Sequence, residues 1–202
     1  MKKLWVFIWR LNPPHNWHLA IIDKALSEND KVLILIWTKK DRDDKNPLNF
    51  EQIMEILSQK YNFKDRERIE IRNLPDFPTD EEWIIYLNMF LFEVYLNTSS
   101  CTPWFYKMNM YFGDMKNDSA YTVIQEYRNE LSTHLVWSAT HDYDIDFIEV
   151  TRKNSYIEYK WKKYEISSTN FRQALREKNY DLAKKFTDEK LFPKIQEFFE
   201  KL

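Results

Sequence analysis

Glycine is almost missing from this sequence. Among 202 residues there is one, Gly113, where average usage near 7% predicts about 14. A low-GC gene depletes glycine, and the many Lys, Asn, Ile, Tyr and Phe residues fit that bias. The same bias should deplete tryptophan, yet eight tryptophans are present. Cysteine is equally scarce. Cys101 alone excludes an internal disulfide framework and a cysteine-rich zinc site. No apolar run approaches the roughly 18 residues of a membrane span and no signal peptide is legible, so a soluble, cytoplasmic chain with no membrane partner is expected. Lys and Arg number 30 against 32 Asp and Glu. That balance lacks the basic excess of a protein that lives on nucleic-acid backbones, so no nucleic-acid partner is expected.

What is present is material for a core. Hydrophobic residues make up 44% of the chain and aromatics 17%, too apolar for a disordered protein. Residues 2–9 (KKLWVFIW) and 31–37 (KVLILIW) are short continuous apolar runs, the pattern of buried parallel strands. Residues 18–28, 49–61, 80–96 and 119–131 repeat apolar positions at helical spacing. Shorter strands are expected at 68–71, 108–113, 134–137 and 147–150. Strands alternating with helices imply βαβ crossovers. The expected fold class is therefore α/β, a Rossmann-like doubly wound parallel sheet with helices on both faces. Helices at 168–177, 181–186 and 192–202 would add a helical C-terminal tail from about residue 168. One domain over 1–202 accommodates all of it.

Two motifs carry chemistry. The first is Arg10-Leu11-Asn12-Pro13-Pro14-His15-Asn16-Trp17-His18, which follows a strand and enters a helix, where a doubly wound fold binds phosphates. His15 sits in the loop and His18 near the first helical turn. Both imidazoles and the helix N-terminal amides can converge on one anion. An isolated H-x-x-H is more often a zinc pair or two ordinary surface histidines; the setting is what raises this one. The second motif is Ile166-Ser167-Ser168-Thr169-Asn170-Phe171-Arg172. Its hydroxyls run into a helix start and Arg172 follows one turn later, able to pair with polyphosphate charge. Alone it reads as simple N-capping.

Together they resemble the nucleotidyltransferase superfamily of H-x-G-H enzymes. The chain between them is similar to the archaeal-type nicotinamide mononucleotide (NMN) adenylyltransferases and their viral relatives. Lys45-Asn46-Pro47-Leu48-Asn49-Phe50-Glu51 looks like their KNPFT-type segment. Leu74-Pro75-Asp76 followed by Asp80-Glu81-Glu82-Trp83 looks like their P-D…D-x-x-W stretch, and residues 112–119 like their G-x-x-K-D-x-S loop, with Asn117 in place of Asp. Three further departures stand out. Trp9 and Trp17 replace glycines, and no Arg stands near Ile53.

The resemblance implies transfer of AMP from ATP to NMN, giving NAD and pyrophosphate. It implies that His15, His18 and Arg172 are catalytic. It places ATP against Trp9, Arg10, Asn12, Pro13, Trp17, Ile166, Ser167, Ser168 and Thr169, and NMN against Asn46, Asp80 and Trp83, whose ring would stack on nicotinamide. Mg²⁺ is implied as the companion of ATP, with no dedicated protein metal site. Trp83 reads equally as a core residue of an amphipathic helix, and Asp76 and Asp80 as turn and cap residues. Other acceptors (nicotinate mononucleotide, flavin mononucleotide, phosphopantetheine, a phosphosugar) keep the same ATP site. A degenerate nucleotide binder is the non-enzymatic alternative, and a homo-oligomer is left open.

The missing glycines and surplus tryptophans meet at this site. Trp9, Trp17, Trp37 and Trp137 lie at strand ends or in the phosphate turn, where backbone must approach phosphate and glycine is the natural residue. Trp83 falls where the resemblance itself has tryptophan. The expectation is that several of these are UGA codons written as tryptophan in a gene that reads UGA as glycine.

Overall fold

The structure, a computed structural model, describes residues 3–61, 68–98, 107–112, 119–127, 145–150 and 155–202. Strands β1 (Lys3–Trp9), β2 (Lys31–Thr38), β3 (Ile69–Pro75), β4 (Lys107–Phe112) and β5 (Ile145–Glu149) form one sheet in the order β3-β2-β1-β4-β5. Every pairing in it is parallel. The helices are α1 (Asn16–Glu28), α2 (Phe50–Leu57), α3 (Asp80–Thr98), α4 (Ser119–Glu126), α5 (Ser168–Arg176), α6 (Tyr180–Ala183) and α7 (Phe192–Glu200), with a 3₁₀ turn at Lys184–Phe186. The α/β doubly wound expectation is the observed fold.

Strand alternation explains the layers. In β1, Trp5 and Phe7 face one core while Leu4, Val6 and Ile8 face the other; in β2, Val32, Ile34 and Ile36 oppose Leu33 and Leu35. Both faces are therefore apolar, which is why these strands read as continuous runs. The first core takes α1, α2 and α5–α7, including Ile22, Ile53, Phe171 and Phe186; the second takes α3 and α4, including Leu87 and Ile124. The C-terminal helices are thus built into a core wall. β1 is central, with the chain winding outward from it to β2 on one side and to β4 on the other. Such a reversal opens a crevice at the carboxyl ends of the strands.

Several boundaries differ from expectation. β3 runs on to Pro75 because it pairs with β2 along its whole length, to Thr38↔Pro75. Helix α2 stops at Leu57, and the Ser58–Tyr61 amides turn back on carbonyls of Met54, Ile56 and Leu57. The expected 181–186 helix divides into α6 and the 3₁₀ turn. An antiparallel hairpin, β6 (Tyr156–Tyr159) with β7 (Lys162–Glu165), was not foreseen. The expected strand at 134–137, Trp137 and the loop 113–118 lie outside the described residues.

Candidate active site at the carboxyl end of the central strand

β1 delivers Trp9 and Arg10 to its carboxyl end, and the loop through Leu11–Pro14 turns the chain into α1. His15 is the N-cap of α1 and His18 the third residue inside it. Both imidazoles are buried, at 1% and 5% exposure, which sets aside the surface-histidine alternative. Their rings stack 3.7 Å apart. The His15 amide donates to His18 Nδ1 at 3.3 Å. An accepting Nδ1 leaves Nε2 to carry the proton, so neutral His18 presents an Nε2–H donor.

The second motif arrives from the far end of the chain. Ser167 caps α5, its hydroxyl accepting the Asn170 amide at 3.2 Å. Ser168 Oγ donates to the Pro13 carbonyl at 3.3 Å. Arg172, 9% exposed, donates through Nη1 to the Asn12 carbonyl at 2.6 Å and through Nη2 to Thr169 Oγ1 at 3.3 Å. The Asn12 side chain meanwhile exchanges two bonds with the Leu48 backbone, at 2.9 and 3.0 Å. Both motifs therefore share one loop. The amino ends of α1 and α5 meet there, and their first amides have no carbonyl one turn earlier to take them.

Two arginines, Arg10 and Arg172, share this place with the carboxylates of Asp43, Asp44 and Asp76. Burial lowers the Arg172 pKa, Arg176 pushes it the same way, and Asp43 and Asp44 oppose. Burial also lowers that of Arg10, with Asp76 and Asp43 opposing. Arg10 lies 4.2 Å from the Trp37 ring centroid, and its Nη1 is buried without an acceptor. An unpaired guanidinium donor is what an incoming phosphate oxygen would satisfy. Among the described residues, no group of three or more His, Cys, Asp or Glu side chains is placed to hold a metal ion.

The tryptophans crowd the same spot. Trp9 stacks on Trp17 at 4.3 Å and meets His18 edge-on at 4.7 Å. Trp37 Nε1 donates to Asp76 at 2.9 Å, and its ring sits 5.2 Å from Trp83. Trp83 is only 3% exposed, with its Nε1 buried and without an acceptor. Another ring could stack on the face toward Trp37 only if that indole moved. Asn46 is buried, and its amide nitrogens engage Asp43 at 2.6 and 2.8 Å. Asp80 opens α3 behind the Thr79 cap, whose hydroxyl accepts the Glu82 amide. Ile166 is half-buried against the first core. A cavity of about 680 Å³ borders Arg42, Asp44, Arg176 and Tyr180, and neither histidine lines it.

Sequence reasoning missed the third clamp on this loop. Thr187 Oγ1 donates to the Pro14 carbonyl at 3.2 Å, and Asn16 donates to the Lys185 carbonyl at 3.0 Å. One is a lone hydroxyl and the other a backbone carbonyl, so no motif announced them.

No protein-family model matches the chain. Over 80 residues it is 31% identical to a nicotinamide/nicotinic acid mononucleotide adenylyltransferase of Acinetobacter baylyi, a match covering 39% of this chain and 43% of that protein. Among solved structures, a bifunctional NMN adenylyltransferase/ADP ribose pyrophosphatase from Francisella tularensis superposes with TM-score 0.62 at 22% identity, over 100% of this chain and 49% of that one. A second structure of that protein holds AMP and a manganese ion, with TM-score 0.60 at 19% identity, over 100% and 52%. Nicotinic acid mononucleotide adenylyltransferase of Plasmodium falciparum gives TM-score 0.56 at 17% identity, over 99% and 98%. The chain thus spans about half the length of the Francisella protein, and it has the fold of these nucleotidyltransferases.

Proposed function

We propose that the chain is a nucleotidyltransferase of NAD biosynthesis that transfers AMP from ATP to nicotinamide mononucleotide. One observation carries this reading above all. Arg172 and Ser168 bond the backbone of the Asn12–Pro13 loop, which joins two phosphate-type motifs at the crevice of a doubly wound sheet. The orphaned Arg10 Nη1 and the pyridine mononucleotide acceptors named for the Acinetobacter, Francisella and Plasmodium proteins support it.

In this reaction an oxygen of the NMN 5′-phosphate attacks the α-phosphorus of ATP in line. The bond from that phosphorus to the bridging oxygen breaks, and pyrophosphate leaves with the electron pair. The attacking phosphate is already ionised, so no general base is needed. Protein groups supply position and charge stabilisation. His15 and His18 donate to the α- and β-phosphates as charge develops, and Arg10, Arg172, Ser168 and Thr169 hold the departing pyrophosphate. With the Trp37 indole out of the way, Trp83 offers the aromatic face for the nicotinamide ring, a cation–π contact worth about 0.5–2 kcal/mol, with Asn46 and Asp80 on the acceptor side. Mg²⁺ enters as part of the ATP substrate and keeps most of its waters.

A second reading, a degenerate relative without turnover, is favoured by the Trp9–Trp17 stack over His18. Incubation with ATP, Mg²⁺ and a panel of acceptors, read as pyrophosphate release, separates the two. Release with NMN supports the proposal, release only with another acceptor reassigns the substrate, and release with none supports the second reading.

A further inference from the structure

We infer that positions 9, 17, 37 and 161 are glycine in the protein the gene specifies, their codons being UGA. One variant genetic code reads UGA as tryptophan and another as glycine. Positions 9, 17 and 37 rest on the nucleotide reading above; position 161 does not.

Position 161 gives the plainest signal. Strands β6 and β7 close through the pair Tyr159↔Lys162, so Lys160 and Trp161 are a two-residue hairpin loop. Their φ angles are 46° and 66°. Positive φ at both positions is the requirement of a type I′ turn, whose second residue is characteristically glycine. Leu11 and Lys178 also take left-handed backbone, at 48° and 53°. Neither resembles Trp161. Leu11 buries its side chain at 1% exposure, and Lys178 follows the α5 C-cap in a Schellman pattern, with Asn179 N–H bonding the Ala174 carbonyl and its charge in water. Trp161 is 105% exposed. A bulky aromatic in the left-handed region with nothing to pack against has no physical recommendation.

The other three positions share a geometry. Trp9 and Trp17 stack together, and Trp9 meets edge-on the ring of His18 in the first turn of α1. Trp37 lies between Arg10 and Trp83, at 4.2 and 5.2 Å. An anion held by His18 and Arg10 must come close to this backbone, and only a residue without a side chain leaves room for it. Glycine at 9 and 17 uncovers the His18 ring. Glycine at 37 uncovers the Arg10 guanidinium and one face of Trp83 together, and it frees the Asp76 carboxylate that Trp37 Nε1 now engages. Composition fits: one glycine and eight tryptophans is the imbalance that reading glycine codons as tryptophan creates.

Peptide mass spectrometry of the protein purified from cells that carry the gene, read beside the gene's codons, decides the matter. Glycine at 9, 17, 37 and 161 with tryptophan at 83 is the expected result. Tryptophan at any of those four positions, or UGG at its codon, overturns the assignment. Thermal shift with ATP–Mg²⁺ then tests the nucleotide reading separately. The four-glycine chain should gain several degrees and the all-tryptophan chain none. Glycine by mass with no shift for the four-glycine chain leaves the codon assignment standing and removes the ATP site.

Discussion

Arg172 Nη1 meets the Asn12 carbonyl at 2.6 Å, although 160 residues separate them in sequence. The guanidinium thereby fixes the loop that leads into His15 and α1, and Nη2 reaches Thr169. Position and charge come from one side chain. Arg172→Ala should lower stability by about 1–3 kcal/mol, because the Asn12 carbonyl is left buried and unpaired. It should weaken ATP-dependent turnover more than NMN binding. Urea melts and titrations with each substrate check this; equal loss on both sides moves Arg172 out of the leaving-group role.

His15→Ala and His18→Ala should each reduce turnover by at least about tenfold, the low end for a lost preorganised donor. Far-ultraviolet circular dichroism should stay unchanged. Near-normal turnover in both variants would remove the phosphate role of these rings.

Much of this was legible in the residues. β1 and β2 announced themselves because both faces of each strand are buried, and the strand–turn–helix around His15 placed the phosphate crevice. The hairpin at 156–165 escaped notice for a physical reason. Its residues are largely exposed and charged, only Ile157, Tyr159 and Tyr164 pack on the core, and its turn carries Trp161 where a glycine would have marked it. The packing of α5 against the N-terminal loop was also hidden, since a serine-threonine run before a helix looks like any N-cap. Only the fold shows what Ser168 and Arg172 bond.

Trp161→Gly should raise stability by about 1 kcal/mol, the scale of the left-handed penalty for a residue with a Cβ. That corresponds to a melting shift of about 2–4 °C for a chain of this size. A calorimetric scan checks it. A loss of stability would show that the indole makes contacts the exposed geometry denies.

Glu70 gives a pH prediction. Burial pushes its carboxyl pKa up, but hydrogen bonds from Lys31 and Arg72 outweigh it and leave it below the ordinary value of 4.5; the ion pairs measure 2.8 and 2.7 Å. A depressed folded value means the stabilisation is present above pH 4.5 and is lost as pH falls through the folded value. Glu70→Gln should therefore be less stable than the parent at neutral pH, with the gap closing in acid. Denaturant midpoints across that range should converge; a constant gap contradicts the pairing.

The most direct measurement is product formation from ATP–Mg²⁺ and NMN by the chain with the amino acids its own cells insert at 9, 17, 37 and 161. NAD and pyrophosphate should appear in equal amounts, and both should fall together when His18 is replaced by Ala. Absence of both products, with this chain folded and both substrates saturating, contradicts the account.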